Sequence, residues 1–303
     1  MRRRDFCAAS LIGALALSLA EPAPAQAPRL KAVATFSILG DFVQNVGGDR
    51  IELITLVGPG GDAHVYTPSP ADARRVADAA IVFVNGLGFE GWLSRLIKTS
   101  GAKAIVETAK GVTPLKSETE HGHNHDHGGL DPHAWQNVAN AKIYVGNIRD
   151  ALVRLDPAGA GVYQANAAAY LAKLGALERE VTSAIERIPP ERRKVITSHD
   201  AFGYFAKAYG LQFIAPQGGS TDAEASAKDV ARIIRQIRRE KIPAVFLENV
   251  SDPRLIQRIA QESGARVGQE LYSDALSPPD GPAGTYIDMV RHNIKALSAA
   301  LSP

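Results

Sequence analysis

Five of the eight histidines in this 303-residue chain fall within one stretch, HGHNHDHGGLDPHAWQN, residues 121–137. Imidazole is a common side-chain ligand for transition metals, so the stretch reads first as metal chemistry. It divides into two parts. His121, His123, His125 and His127 alternate with Gly, Asn and Asp inside the polar segment 115–129, which lacks an apolar period and reads as a flexible loop. Neutral imidazoles there can hold zinc transiently. Ordering the loop costs roughly 1–2 kcal/mol per residue, so a site made of it alone is weak. His133 stands apart, behind Pro132 and ahead of a helical pattern.

Three more candidates share a type of location. His64 follows the run IELITLV (51–57) across a Gly-Pro-Gly-Gly turn. His199 comes directly after KVITS (194–198), and Asp274 lies three residues beyond ARVGQEL (265–271). Ligands of open parallel sheets bind beyond the carboxyl ends of the strands. Any one of these residues alone would pass for a turn or surface residue, and Asp274 for a cap. Their common position is the argument. His64 and His133 from the first half would meet His199 and Asp274 from the second half in a cleft.

Three imidazoles and a carboxylate form an N3O donor set. Zinc accepts it in tetrahedral geometry, with Zn–N near ~2.0–2.1 Å. Manganese prefers harder, oxygen-rich and often higher-coordinate sites, whereas copper and nickel also suit nitrogen-rich ones. A complete four-ligand set leaves no open position for a hydrolytic water. Neither a His-Glu-x-x-His helix nor a Gly-x-Ser-x-Gly elbow occurs. SHDAF (198–202) places Ser, His and Asp side by side, but sequence neighbours are not a triad in space. Asp131, Asn137, Asp200 and Glu248 are the polar neighbours expected to orient the imidazoles. Glu248 ends a strand-like run and is an alternative ligand to Asp274. His292, four residues after Asp288, reads as half of a surface pair on the last helix. Protonation near pH ~6.5 should weaken metal binding.

The elements that must position these groups alternate. Strand-like runs cover 31–37, 51–57, 79–85 and 102–108, and again 194–198, 211–215, 244–249 and 265–271. Helical patterns lie between them, including 137–156, AKDVARIIRQIRREK and the closing TYIDMVRHNIKALSAALS. This order predicts parallel sheets flanked by helices. From 163 to 188, Leu171, Leu174, Leu177, Val181, Ile185 and Ile188 follow spacings of three and four, the stripe of one long helix ended by Pro189-Pro190. The expected organisation is an α/β chain of two lobes, 28–160 and 190–303, joined by a rigid helix over 161–189. No internal repeat is visible in the sequence.

Residues 1–27 form a basic start, a short apolar run and the small-residue tail PAPAQA, which reads as a secretory signal peptide cleaved near Ala27. Arg3-Arg4-Asp5-Phe6 also resembles a twin-arginine signal, so either the Sec or the twin-arginine route fits. The only cysteine, Cys7, precedes the apolar run and is not placed for lipidation. The mature chain is expected to be free and soluble outside the cytoplasm. A net charge of +2 with 22% charged residues implies no broad basic face for nucleic acid.

GDAHVYTPSPADARRVADAAIVFVNGLGFEGWL (61–93), DPHAWQNVANA (131–141), SHDAFGYFAKAYGL (198–211), STDAEASAKD, LYSDAL and TYIDMVRHNIKAL occur in an order that resembles the zinc/manganese periplasmic substrate-binding proteins of ABC transporters (cluster A-I). The resemblance spans essentially the whole mature chain. It implies two lobes joined by a long helix and no enzymatic activity. It implies His64, His133, His199 and Asp274 as ligands of a transported ion. It places the chain in the zinc branch, because manganese-preferring relatives commonly carry Glu at the third position, where this chain has His199. Implied partners are an inner-membrane ABC permease and a periplasmic zinc chaperone, with the protein itself a monomer.

Overall fold

The computed structural model describes residues 29–117, 129–222 and 224–302. The leader expected at 1–27 and the four loop histidines lie outside them. The first lobe is built on β1 (Leu30–Phe36), β2 (Ile51–Val57), β3 (Ile81–Val84) and β4 (Ile105–Glu107), all parallel, in the order β2-β1-β3-β4. Every residue of β3 and the last five of β1 are buried. A parallel sheet covered by helices on both faces requires such continuous apolar strands. The covering helices include α1 (Ser37–Gly47), α2 (Pro70–Asp78), α3 (Leu93–Ser100) and α4 (Val138–Leu155).

The second lobe repeats this topology. Strands β5 (Lys194–Ile196), β6 (Gln212–Ile214), β7 (Ala244–Val245) and β8 (Arg266–Val267) pair in the order β6-β5-β7-β8, again all parallel. Helices α6 (Gly203–Tyr209), α7 (Ala227–Glu240) and α8 (Pro253–Ser263) accompany them. The two halves thus share a strand order without sharing a sequence pattern. In each, the chain steps from the first strand to one side and then crosses to the other, leaving a switch point beside β1 and beside β5.

β7 and β8 are shorter than their apolar runs. At Gly268 an added Cβ would stand 2.4 Å from the Phe246 ring, so the backbone passes very close to its neighbour. Pairing resumes beyond it, where Leu271 donates its N–H to the Leu247 carbonyl (2.8 Å) and forms a parallel bridge with Glu248. That second contact returns the chain to the carboxyl edge of the sheet three residues before Asp274.

The long helix is α5 (Ala160–Glu186), 27 residues and therefore ~40 Å. Its buried stripe runs Tyr163, Ala167, Tyr170, Leu174, Leu177, Val181 and Ile185. Leu171, expected on that stripe, is half-buried beside it, and Tyr170 takes its place. α5 packs on α1 and α4 and on the closing helix α9 (Tyr286–Leu301). Although α9 follows the second sheet, it returns to the first lobe: Tyr286 stacks edge-on against Phe42 (4.7 Å) and donates its hydroxyl to the Trp135 carbonyl (2.7 Å). One apolar core therefore runs from the first sheet through α5 and α9 to the inner face of the second lobe. A separate core, with Ile196, Ile233, Ile237, Ile256 and Ile259, lies between the second sheet, α7 and α8. No helix of the described residues is long and apolar enough to cross a membrane.

Candidate metal centre

Four side chains converge between the lobes. His64, His133, His199 and Asp274 each offer one donor atom, and the four atoms lie within 4.8 Å of one another. His64 Nε2 is 3.3 Å from His133 Nε2 and 3.2 Å from Asp274 Oδ2. His199 Nε2 is 2.9 Å from Asp274 Oδ2, and His133 Nε2 is 3.6 Å from Asp274 Oδ1. Donors ~2.05 Å from a tetrahedral zinc would stand about 3.3 Å apart. The observed spacings bracket that edge length.

Each group is held by its loop. His64 sits in the turn after β2, where Gly60, at φ +69°, donates its N–H to the Leu276 carbonyl of the second lobe (2.9 Å). Asp62 Oδ1 accepts the His64 backbone N–H (2.9 Å), and the Trp92 indole donates to the Ala63 carbonyl (2.7 Å). Asp131 Oδ1 accepts the His133 backbone N–H (2.9 Å) and lies 2.8 Å from its Nδ1, which aims Nε2 at the cleft. On His199 that role falls to Glu248. Its Oε1 accepts the N–H groups of Ser198 (2.7 Å) and His199 (2.9 Å). Its Oε2 lies 2.8 Å from His199 Nδ1, an ion-pair distance. Glu248 therefore faces the far side of the imidazole, and Asp274 is the carboxylate beside the inward nitrogens.

Asp274 is carried by a strand of backbone stitched to the first lobe. The Ser273 carbonyl accepts from Trp135 Nε1 (3.0 Å) and Gln136 Nε2 (2.7 Å), and Leu276 donates its N–H to Ser37 Oγ (2.9 Å). Asn137 takes another part: its side chain caps α4 by accepting the Ala139 N–H (2.9 Å). Asp200 fastens its own backbone N–H to the Gly218 carbonyl (3.1 Å). His292 does not pair with Asp288, because Asp288 is engaged with Thr285 at the cap of α9. The ring Nε2 lies 2.9 Å from the Glu270 carbonyl instead.

The electrostatics fit a cation. Burial by itself would push the His199 pKa down, but the carboxylates of Glu248 and Asp274 overcome it and hold the pKa well above the usual value. For His133, burial is likewise outweighed by Asp274 and Asp131, so its pKa is raised. Burial would raise the Asp274 pKa, yet the neighbouring histidines bring it well below the carboxylate range. Asp274 Oδ1 is buried with no hydrogen-bond partner among the described residues. A buried carboxylate oxygen left unpaired is costly, and a cation held by Asp274 would satisfy it.

Several residues that build the site gave no signal in the sequence reading. Glu90 is buried, with Oε1 accepting from the Thr35 hydroxyl (2.6 Å) and the Asn85 N–H (2.7 Å). Burial raises its pKa against the pull of those donors. Gly86, Leu87 and Gly88 between them all have positive φ, at 88°, 55° and 83°. For Leu87 this costs roughly 1–3 kcal/mol, and such strain persists only where the surroundings enforce it. Asn85 also donates to the Pro132 carbonyl (2.9 Å), one residue before His133. The usable clue was Asn85-Gly-Leu-Gly-Phe-Glu90 itself, a Gly-punctuated polar turn at the carboxyl end of an all-apolar strand.

Two parallel-sheet lobes, an interlobe helix and a buried His3Asp cluster in the cleft define a metal-binding solute-binding protein. Residues 32–300 match the family described as zinc-uptake complex component A, periplasmic (ZnuA), and the chain belongs to that family. It is 37% identical over 273 residues to the manganese-binding lipoprotein MntA of Halalkalibacterium halodurans, covering 90% of this chain and 89% of the relative. It is 34% identical to the iron-binding protein YfeA of Yersinia pestis, covering 95% and 91%. The periplasmic zinc-binding protein TroA of Treponema pallidum superposes with a TM-score of 0.85 at 30% identity, over 91% of this chain and all of that one. A manganese-bound periplasmic metal-binding protein of Candidatus Liberibacter asiaticus superposes at 0.80, with 32% identity over 90% of this chain. The family consists of exported substrate-binding proteins that bind a metal ion and work with the permease and ATPase of an ABC transporter. They are not enzymes.

Proposed function

We propose that this protein captures Zn2+ in the periplasm through His64, His133, His199 and Asp274 and delivers it to an ABC importer. The observation that carries the choice of metal is the donor set: three imidazole nitrogens and one carboxylate at spacings near a tetrahedral edge. Asp131 and Glu248 support it by facing the outer nitrogens of two imidazoles, so that the inner nitrogens are free for the ion.

A second reading, manganese or iron(II) as the cargo, is favoured by the names of the relatives MntA and YfeA. Competition decides between them. The metal-stripped chain is titrated with Zn2+ against Mn2+, alongside His199→Ala. Tight zinc binding at one site that disappears in the variant supports zinc capture. Equal competition by manganese overturns the choice of metal, and full affinity in His199→Ala overturns the choice of ligands.

The leader at 1–27 would be cleaved near Ala27, releasing the chain to the periplasm. The loop histidines His121, His123, His125 and His127 would gather zinc at lower affinity than the cleft. A monomer in solution, receiving its ion from a periplasmic zinc chaperone, completes the proposal.

A further inference from the structure

The first-lobe side of the cleft is an aromatic wall. The Phe89 ring stands edge-on to His64, with centroids 4.7 Å apart, and lies 6.0 Å from His133. Behind it, Trp135 is 4.9 Å from Phe89 and 5.4 Å from His133, and Phe36 contacts both rings at 4.9 and 5.0 Å. All three aromatic side chains are buried. The wall offers a water nothing to bind. Phenylalanine has no polar atom, and the Trp135 indole N–H is committed to the Ser273 carbonyl. A structural water needs about two to four polar partners, and none of these rings supplies one.

Phe89 is also fixed in place. It follows the three positive-φ residues Gly86 to Gly88 and precedes Glu90, whose buried carboxylate clips the same turn to Thr35 and Asn85. It thus packs against the one imidazole of the four-residue cluster that is not completely buried, His64.

We propose that Phe89 determines the metal preference of the site by keeping water out of the coordination sphere, so that the ion receives only the donors that the four side chains supply. The inference rests on the reading of the cleft as a metal site. Ions that accept four-coordinate nitrogen-rich geometry, such as Zn2+, tolerate this restriction. Ions that require further oxygen ligands, such as Mn2+, do not.

The test uses Co2+ as a spectroscopic probe of coordination number, with Zn2+/Mn2+ competition in parallel, on the mature chain and on Phe89→Ala and Phe89→Leu. The unaltered protein is expected to give the intense visible absorption of low-coordinate Co2+. Phe89→Ala should give the weak bands of a higher-coordinate ion, and its preference for Zn2+ over Mn2+ should fall by about tenfold or more. Phe89→Leu, which keeps an apolar but smaller wall, should show the same changes to a lesser degree, and it carries the test if the alanine variant does not fold. An unaltered Co2+ spectrum with a Zn2+/Mn2+ ratio within twofold of the original in the folded variants overturns the inference while leaving the metal site intact. An original chain that binds no Co2+ or Zn2+ overturns the reading of the cleft, and this inference with it.

Discussion

Asp62 and Thr221 meet across the cleft: the Thr221 hydroxyl of the second lobe donates to Asp62 Oδ2 at 2.5 Å, while the other oxygen of that carboxylate holds the backbone N–H of His64. One side chain of the first lobe thus ties a candidate ligand to the facing loop. Removing the hydroxyl with Thr221→Val should cost one hydrogen bond, about 1 kcal/mol, and speed metal dissociation roughly five- to tenfold. Stopped-flow release into a chelator measures this. An unchanged off-rate would show that the contact does not restrain the cleft.

Glu248 faces His199 from behind, and Asp131 does the same for His133. Replacing either carboxylate by its amide keeps the shape and removes the charge. Glu248→Gln and Asp131→Asn should each weaken metal affinity by about 10- to 100-fold, the usual range for such outer partners. Competition titration reads the loss. In Glu248→Gln the His199 pKa of the metal-free protein should fall, visible as a shifted imidazole titration by NMR. Equal affinity in both variants would remove these carboxylates from the account.

The metal-free site holds a pH-dependent ion pair. His199 has a raised pKa, so its contribution to stability is full below the unfolded value of ~6.5 and fades as pH rises through the folded one. Asp274 has a depressed pKa, so its contribution is full above ~3.9 and is lost as pH falls through its folded value. Both terms operate together between about pH 4 and 6.5. For this pair alone, the metal-free Tm should peak in that window and decline on the alkaline side. Metal must displace the His199 proton, so its affinity should rise with pH over the range where His199 titrates. Calorimetric titration in two buffers of different ionisation enthalpy should detect proton release on binding. A buffer-independent heat would contradict it.

The segment 118–128 leaves and re-enters the fold at one place. Ser117 donates its N–H to the Gly129 carbonyl at 2.5 Å, and Lys116 bridges Leu130 in antiparallel register. Its ends are therefore already side by side. Joining Ser117 to Gly129 directly should keep the single tight metal site and change stability by no more than about 1 kcal/mol, in line with the weak dependence of loop-closure entropy on length. Metal titration and thermal melting of the deletion variant check both points. Loss of the tight site would assign it to the deleted histidines.

Much of this architecture was legible because strand polarity is written into apolar runs. His64 and His199 stand in the segments that follow β2 and β5, and that placement alone brought them to the same edge. Asp274 was legible through the run ending at Leu271, although regular pairing stops at Val267 and resumes only after the close pass at Gly268. The shared strand order of the two sheets was not legible, since topology depends on which edges pair and not on residue pattern. Nor was the role of Glu90. A carboxylate in a Gly-rich turn looks solvated until the fold closes Thr35 and Asn85 over it. Asn137 shows the reverse case, where proximity in sequence to His133 suggested the cleft and the side chain instead caps α4.

The core shared by α1, α5, α9 and the inner face of the second lobe has a mechanical consequence. Swinging the lobes apart as rigid bodies would split the core that runs from the first sheet to Phe202 and Phe205 of the second lobe and expose apolar surface, at ~25 cal/mol for each Å2 uncovered. The joint between the lobes is therefore stiff. The other core of the second lobe, between its sheet, α7 and α8, is a separate block that such a motion would leave intact. Any opening that parts the whole lobes must therefore work against this shared core, whereas a change confined to the second lobe need not.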